Sequence, residues 1–216
     1  MFWNVARFEV RYQLRNPVCW AAAVALFVLG LSVMIVEDMR FGSGPTVRDN
    51  APTSIAAAHL LFSILFMFVP AAFVANVVIR DDETGFGSIL RSTRITKFDY
   101  LVGRFTGAFV AAALAFMALP LAIWLGTFTP GVDADMFGPN RFADYARAYL
   151  LLAVPNILLA SAVFFALATM TRSQLGTFLG AIGLLVLYTT ARAFIAKLPA
   201  AHSAIAIADP FGTAAF

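Results

Sequence analysis

IAAAHLLFSILFMFVPAAFVANVVI, residues 55–79, runs directly into RDDETGFGSILRSTRITKFDYLVGR, residues 80–104. The first stretch has no Asp, Glu, Lys or Arg in 25 positions. About 20 helical residues, each rising about 1.5 Å, cross a hydrocarbon core of about 30 Å. Inside lipid no water satisfies an open strand edge, so such a run must be a helix. The second stretch gathers 9 of the chain's 27 charged residues into 25 positions. A span that empties into a concentrated charged connection sets the plan for the rest of the chain.

The 216 residues are 61% hydrophobic and 12% charged. Soluble domains carry roughly 25% charged residues, so too few polar side chains exist here to solvate a globular surface. The expected fold is all-α: a polytopic helical membrane protein with five transmembrane helices near 18–36, 55–79, 105–128, 148–169 and 175–195. Pro70, Pro120 and Pro155 fall inside spans and predict kinks. The first apolar run, 19 residues ending at Glu37 and Asp38, is longer than a signal-peptide core of about 7–15 residues. It reads as an uncleaved span. Cys19 is the sole cysteine and excludes an intrachain disulfide. Five spans are an odd number, and the tail 197–216 ends in DPFGTAAF with no charged or amphipathic anchor. A sixth span beyond Phe216 is therefore expected.

Orientation follows from Lys and Arg in the connections. One side collects Arg7, Arg11, Arg15, Arg80, Arg91, Arg94, Lys97, Arg104 and Arg172; the other collects Arg40, Arg48, Arg141, Arg147, Arg192 and Lys197. The bias puts the N-terminus and the connection 80–104 in the cytoplasm of a multi-pass protein of the cell (inner or plasma) membrane.

Residues 1–17 predict an interfacial helix. Arg7, Arg11 and Arg15 recur every four residues and form one stripe suited to lipid phosphates. Small residues at Gly103, Gly107, Ala111 and Ala115, and at Gly176, Gly180 and Gly183, predict close helix packing. Arg104 and Arg192, near span ends, are expected to snorkel. Asn156, directly after Pro155, is expected to donate to the carbonyl released by the kink.

The sequence holds no GxSxG elbow, HExxH pair or GxxxxGK[ST] phosphate loop. No Asp or Glu sits mid-span, which argues against a proton- or sodium-coupled carrier. No catalytic residue, metal site or resident cofactor is expected, and no basic or aromatic series suggests nucleic acid. The connection 80–104 reads in order as an acidic group (Asp81, Asp82, Glu83), a Gly85/Gly87 bend, a short helix with Ile89 and Leu90, and a basic return. Apolar groups among those charges suggest docking onto a partner or the headgroup layer. On the residues alone, an ion-coupled carrier and a scaffold recruiting a cytosolic protein remain the alternative readings.

At this connection the chain resembles the permease subunits of type-2 ATP-binding-cassette exporters. The resemblance rests on Asp82, Glu83, Gly85, Leu90, Ser92, Thr93, Ile95, Lys97, Tyr100, Leu101, Gly103 and Arg104, with ARFEVRYQLRNPVCW at the N-terminus and the spacing of the spans. Arg94 stands where the family usually has Pro, and Phe86 where Thr is common. The chain looks most like permeases that continue into further spans and a zinc aminopeptidase-like domain. The resemblance implies a single permease domain that moves substrate outward when a separate cytoplasmic ATPase binds ATP and Mg and pushes on 80–104. It implies contact with that ATPase through Asp82, Glu83, Gly85, Ile89, Leu90, Thr93 and Ile95. It also implies a second permease half, in a homo- or heterodimer.

Overall fold

A computed structural model of the chain describes residues 1–36, 47–83, 96–129, 136–195 and 209–212, with 81–83 and 195 described in backbone only. The described residues are helical almost throughout. They form α1 (Phe2–Arg15), α2 (Pro17–Ile35), α3 (Pro52–Phe66), α4 (Phe68–Glu83), α5 (Lys97–Phe116), α6 (Ala118–Gly126), α7 (Phe142–Ala148), a π-helical turn (Tyr149–Ala153), α8 (Val154–Thr171) and α9 (Gln174–Ile195). Among the described residues five stretches are long and apolar enough to cross a membrane: Pro17–Ile35, Pro52–Arg80, Lys97–Gly126, Phe142–Thr171 and Gln174–Phe194. Five spans match the sequence expectation in number and order.

Two ends differ from expectation. The third span starts at Lys97, inside the stretch expected to be connection, so residues 80–83 and 97–104 are helical at the two margins of that stretch. The fourth starts at Phe142, because α7 and the π-helical turn lead into α8 without leaving the helical path. Hydropathy places a span at the first uncharged residue. The helix itself extends as far as its polar side chains find partners.

The α-helical pattern is interrupted shortly before each of the three prolines. The α-helix is interrupted at Met67 and Met117, three residues before Pro70 and Pro120, and the π-helical turn ends two residues before Pro155. A proline ring clashes with the carbonyl four residues back and brings no N–H of its own. The chain resumes through Ala71 N to Met67 O at 3.2 Å and Leu121 N to Met117 O at 3.3 Å.

The chain divides into two compact units. In the first, Met1–Trp20, Phe66–Leu114 and Ile157–Arg192, the core joins Met67, Ala71, Ala160, Phe164 and Ala181. The corner between α1 and α2 is fixed locally. Asn16 takes an extended ψ of 126°, as the residue before a proline prefers, and its Oδ1 accepts the Val18 N–H at 3.0 Å. Trp20 Nε1 donates to Leu14 O at 2.8 Å across the corner.

In the second unit, Ala21–Leu65, Ala115–Asn156 and Ala193–Phe216, an asparagine clasp gathers the segments outside the helices. Asn50 Nδ2 donates to Gly138 O at 2.7 Å, and Asn50 Oδ1 accepts the Gly138 N–H at 2.6 Å. Asn140 donates to Thr127 Oγ1 and accepts from Tyr145. Asn156 departs from its expected role. Its Nδ2 donates to Ser63 Oγ at 2.9 Å and to Phe211 O at 3.1 Å, so it secures the DPFG turn of the tail instead of answering the kink. That turn is closed by Gly212 N to Asp209 O at 3.2 Å, with Gly212 at φ +73° and Phe211 buried.

Candidate functional site

Helix α1 buries one narrow face: Ala6, Glu9 and Gln13, at spacings of three and four residues. Arg7, Arg11 and Arg15 are exposed, as are Trp3, Phe8 and Tyr12. The buried face lies on the start of α5, where Gly103 and Gly107 admit it. A Cβ at Gly107 would meet Glu9 Cβ at 2.5 Å and the Ala6 carbonyl at 2.8 Å; one at Gly103 would meet Val5 Cβ at 3.0 Å and the Phe2 carbonyl at 3.1 Å. The two glycines therefore pack the N-terminal helix against the third span. In α9, Gly176 faces Thr171 and Ser173, and Gly180 faces Leu167 of α8.

This approach buries the Glu9 side chain completely, and it is held by three groups. Oε2 accepts Arg80 Nη2 at 2.8 Å and Arg104 Nη1 at 2.7 Å. Oε1 accepts Gln13 Nε2 at 2.9 Å. Both arginines are themselves braced. Arg80 Nη1 reaches Asn76 Oδ1 at 3.4 Å, and its guanidinium lies over the Tyr12 ring at 3.8 Å. Arg104 donates to the Tyr100 hydroxyl through Nε at 3.2 Å and Nη2 at 2.8 Å. Burial pushes the Glu9 carboxyl above its ordinary range, against the pull of Arg80 and the Gln13 hydrogen bond.

The buried carboxylate accepts from two guanidiniums on Oε2 and an amide on Oε1, which uses three of its roughly four acceptor sites within the fold. Its chemistry is mechanical. It ties α1 to the residues on either side of the charged connection, one at the end of the second span and one at the start of the third. Among the described residues no group of three or more His, Cys, Asp or Glu could hold a metal ion.

Of the residues expected to meet a partner, Asp82 and Glu83 lie in the last turn of α4, while Gly85, Ile89, Leu90, Thr93 and Ile95 lie outside the described residues. Arg104 corrects the snorkelling expectation. It is 5% exposed and turned inward to Glu9. Glu9 and Gln13 were not singled out by sequence reasoning. The available signal was a lone acidic residue on an arginine-bearing helix, at the spacing from Ala6 and Gln13 that faces a Gly-xxx-Gly stretch.

The fold and the site define a polytopic all-helical membrane protein in which Glu9 of the N-terminal helix holds Arg80 and Arg104, at the two margins of the charged connection. Over about 72–74% of its length the chain is similar to permeases of ATP-binding-cassette (ABC) transporters. It is 28% identical over 164 residues to the probable ABC transporter permease protein NosY of Stutzerimonas stutzeri, covering 72% of this chain and 58% of that protein. It is 26% identical over 165 residues to the protein of the same name from Pseudomonas aeruginosa, covering 74% and 58%. The chain thus spans less than two thirds of the length of these curated relatives. No protein-family model matches the chain.

Proposed function

We propose that this chain is the membrane-spanning part of an ABC transporter permease that exports its substrate, driven by a separate ATPase and working beside a second permease half. The N-terminus and the connection between the second and third spans face the cytoplasm, and ATP and Mg are bound by the ATPase. The likeness to two permeases supports the class, and the sequence carries no phosphate loop of its own.

The observation that carries the mechanism is Glu9, bonded at once to Arg80 and Arg104. A push on the segment between these arginines is delivered to the end of α4 and the start of α5. Because the carboxylate holds both, α1 moves with them as one body. Removing one partner of a buried ion pair costs about 3–5 kcal/mol, because the other charge is left uncompensated. Asp82 and Glu83, at the end of α4, belong to the contact with the ATPase.

The test is purification of the full-length protein from its own membranes, followed by ATP hydrolysis in proteoliposomes. Co-purification of an ABC ATPase whose turnover rises in the presence of the permease is the expected result. Recovery without any ATPase, or substrate flux in ATP-free vesicles driven by a proton or sodium gradient, would overturn the reading.

A further inference from the structure

Helix α1 has a second face, opposite the one that carries Glu9. At about 3.6 residues per turn, Arg7, Arg11 and Arg15 fall on the side of the helix away from Ala6, Glu9 and Gln13. All three arginines are exposed, and among the described residues none of them pairs with a carboxylate. Glu9 is the only acidic residue of α1, and it is engaged on the inner side. The outer face therefore carries three uncompensated positive charges. Trp3 and Phe8 bracket it, 77% and 59% exposed.

The contacts of the inner face set the depth of the outer one. Gly103 of α5 lies against Phe2 and Val5, and Gly107 against Ala6 and Glu9. Four residues on in α5 is four residues on in α1, so the two helices run side by side in the same direction. Glu9 is level with Arg80, the last residue of the second span. Gln13 Nε2 reaches Phe73 O at 3.4 Å, seven residues or about 10 Å further into that span. Arg15 stands two residues before Pro17, where the first span begins. The second and third spans have 29 and 30 residues, against about 20 that cross the hydrocarbon, so their ends stand in the headgroup layer. Helix α1 thus descends through that layer toward Arg15 at the edge of the hydrocarbon, and its row of guanidiniums lies at the level of lipid phosphates.

We infer that the Arg7, Arg11 and Arg15 face of α1 binds anionic phospholipid of the surrounding leaflet. Each guanidinium offers a paired set of N–H donors to a phosphate. Net negative lipid is favoured over a zwitterion, whose own ammonium offsets the phosphate charge. A soluble anion would answer the arginines but leave Trp3 and Phe8 in water. A lipid surface takes both, with the two rings set in the interfacial layer beside the charges.

The experiment places the full chain in proteoliposomes with trace spin-labelled phosphatidylglycerol or phosphatidylcholine of matched acyl chains, and reads the fraction of each lipid immobilised by the protein. A preference of about fivefold for phosphatidylglycerol at low salt is expected, the effect of one guanidinium per lipid. About 1 M salt should collapse it, since the screening length falls to about 3 Å. R7Q/R11Q/R15Q should lose most of the preference with phosphatidylcholine unchanged, and R11Q alone, covering the case in which the triple variant does not fold, should lose part of it. R141Q/R147Q, which removes exposed charge elsewhere, should keep it. Equal immobilisation of the two lipids by the unaltered protein would overturn the inference. So would an equal loss in R141Q/R147Q, which would reduce the effect to net charge, or abolition of the preference by soluble glycerol phosphate, which would assign the arginines to a free anion. An intact preference in a folded R7Q/R11Q/R15Q that no longer stimulates an ATPase would give the face to a protein partner instead. The lipid measurement contains no ATPase, so its failure is distinct from failure of the permease reading.

Discussion

Glu9 and Arg104 are 95 residues apart in the chain, yet Arg104 Nη1 donates to Glu9 Oε2 at 2.7 Å with both side chains buried. Arg80 shares the same oxygen. The pairing depends on α1 lying flush against α5, and the flush contact in turn encloses the charge. A Glu9→Gln change keeps the shape and removes the charge, leaving the buried Arg104 and the half-buried Arg80 around a neutral amide. It should lower stability by about 3–5 kcal/mol, the usual cost of breaking a buried pair from one side. Arg7→Gln alters an exposed residue on the same helix and should stay within about 0.5 kcal/mol. Denaturant unfolding of both variants in the same detergent checks the contrast. Equal stability of the two would show that the joint contributes nothing.

At Gly107 α1 and α5 approach too closely for a side chain. A Cβ there collides with Glu9 Cβ at 2.5 Å and with the Ala6 carbonyl at 2.8 Å, and a backbone oxygen cannot swing aside as a side-chain tip can. Gly107→Val should therefore lift α1 from the third span and open Arg7 and Arg11 to trypsin. Gly183, with nothing within 4 Å of an added Cβ, is the control. Gly183→Ala should leave the digestion pattern unchanged.

The five spans were legible because hydropathy is local. Runs such as 55–79 announce themselves whatever they pack against. Gly103 and Gly107 were legible as a packing face for the same reason, although not their partner. Glu9 was not legible as a buried group. Its two arginines lie 71 and 95 residues away, and in the sequence each reads as a charge at a span end. Hydropathy also set the third span too late at 105, since a buried, paired Arg104 lets the helix begin at Lys97. Asn156 pointed to its kink in sequence. Its real acceptors, Ser63 and Phe211, come from elements only the fold brings near.

Coupling to an ATPase makes a separate prediction at the end of α4. Asp82 and Glu83 occupy its last turn, next to the Arg80 that Glu9 holds. Glu83→Lys reverses a charge at a position outside the Glu9, Arg80 and Arg104 triad. It should abolish stimulation of the partner ATPase in proteoliposomes while leaving membrane insertion and the melting temperature as they were. Leu90→Asp, in the connection itself, should behave alike. Full stimulation in both variants would place the contact elsewhere.

The tail turn makes the last prediction. Phe211 is 2% exposed, its carbonyl accepts from Asn156 Nδ2 at 3.1 Å, and its own N–H is held by Asp209 Oδ1 at 3.0 Å. Asn156 also donates to Ser63 Oγ, so one amide secures the turn to the third helix of the chain. Hydrogen bonds between helices in membranes are worth about 0.6 kcal/mol on average and up to about 1.7 kcal/mol. Asn156→Leu should thus leave the spans folded but release the DPFG turn, at a cost of about 1 kcal/mol in global stability. Chymotrypsin should cut after Phe211 in the variant and spare it in the unaltered protein. Ser63→Ala removes only one of the two acceptors and should leave Phe211 protected, which separates loss of the turn from general loosening of the helix pair.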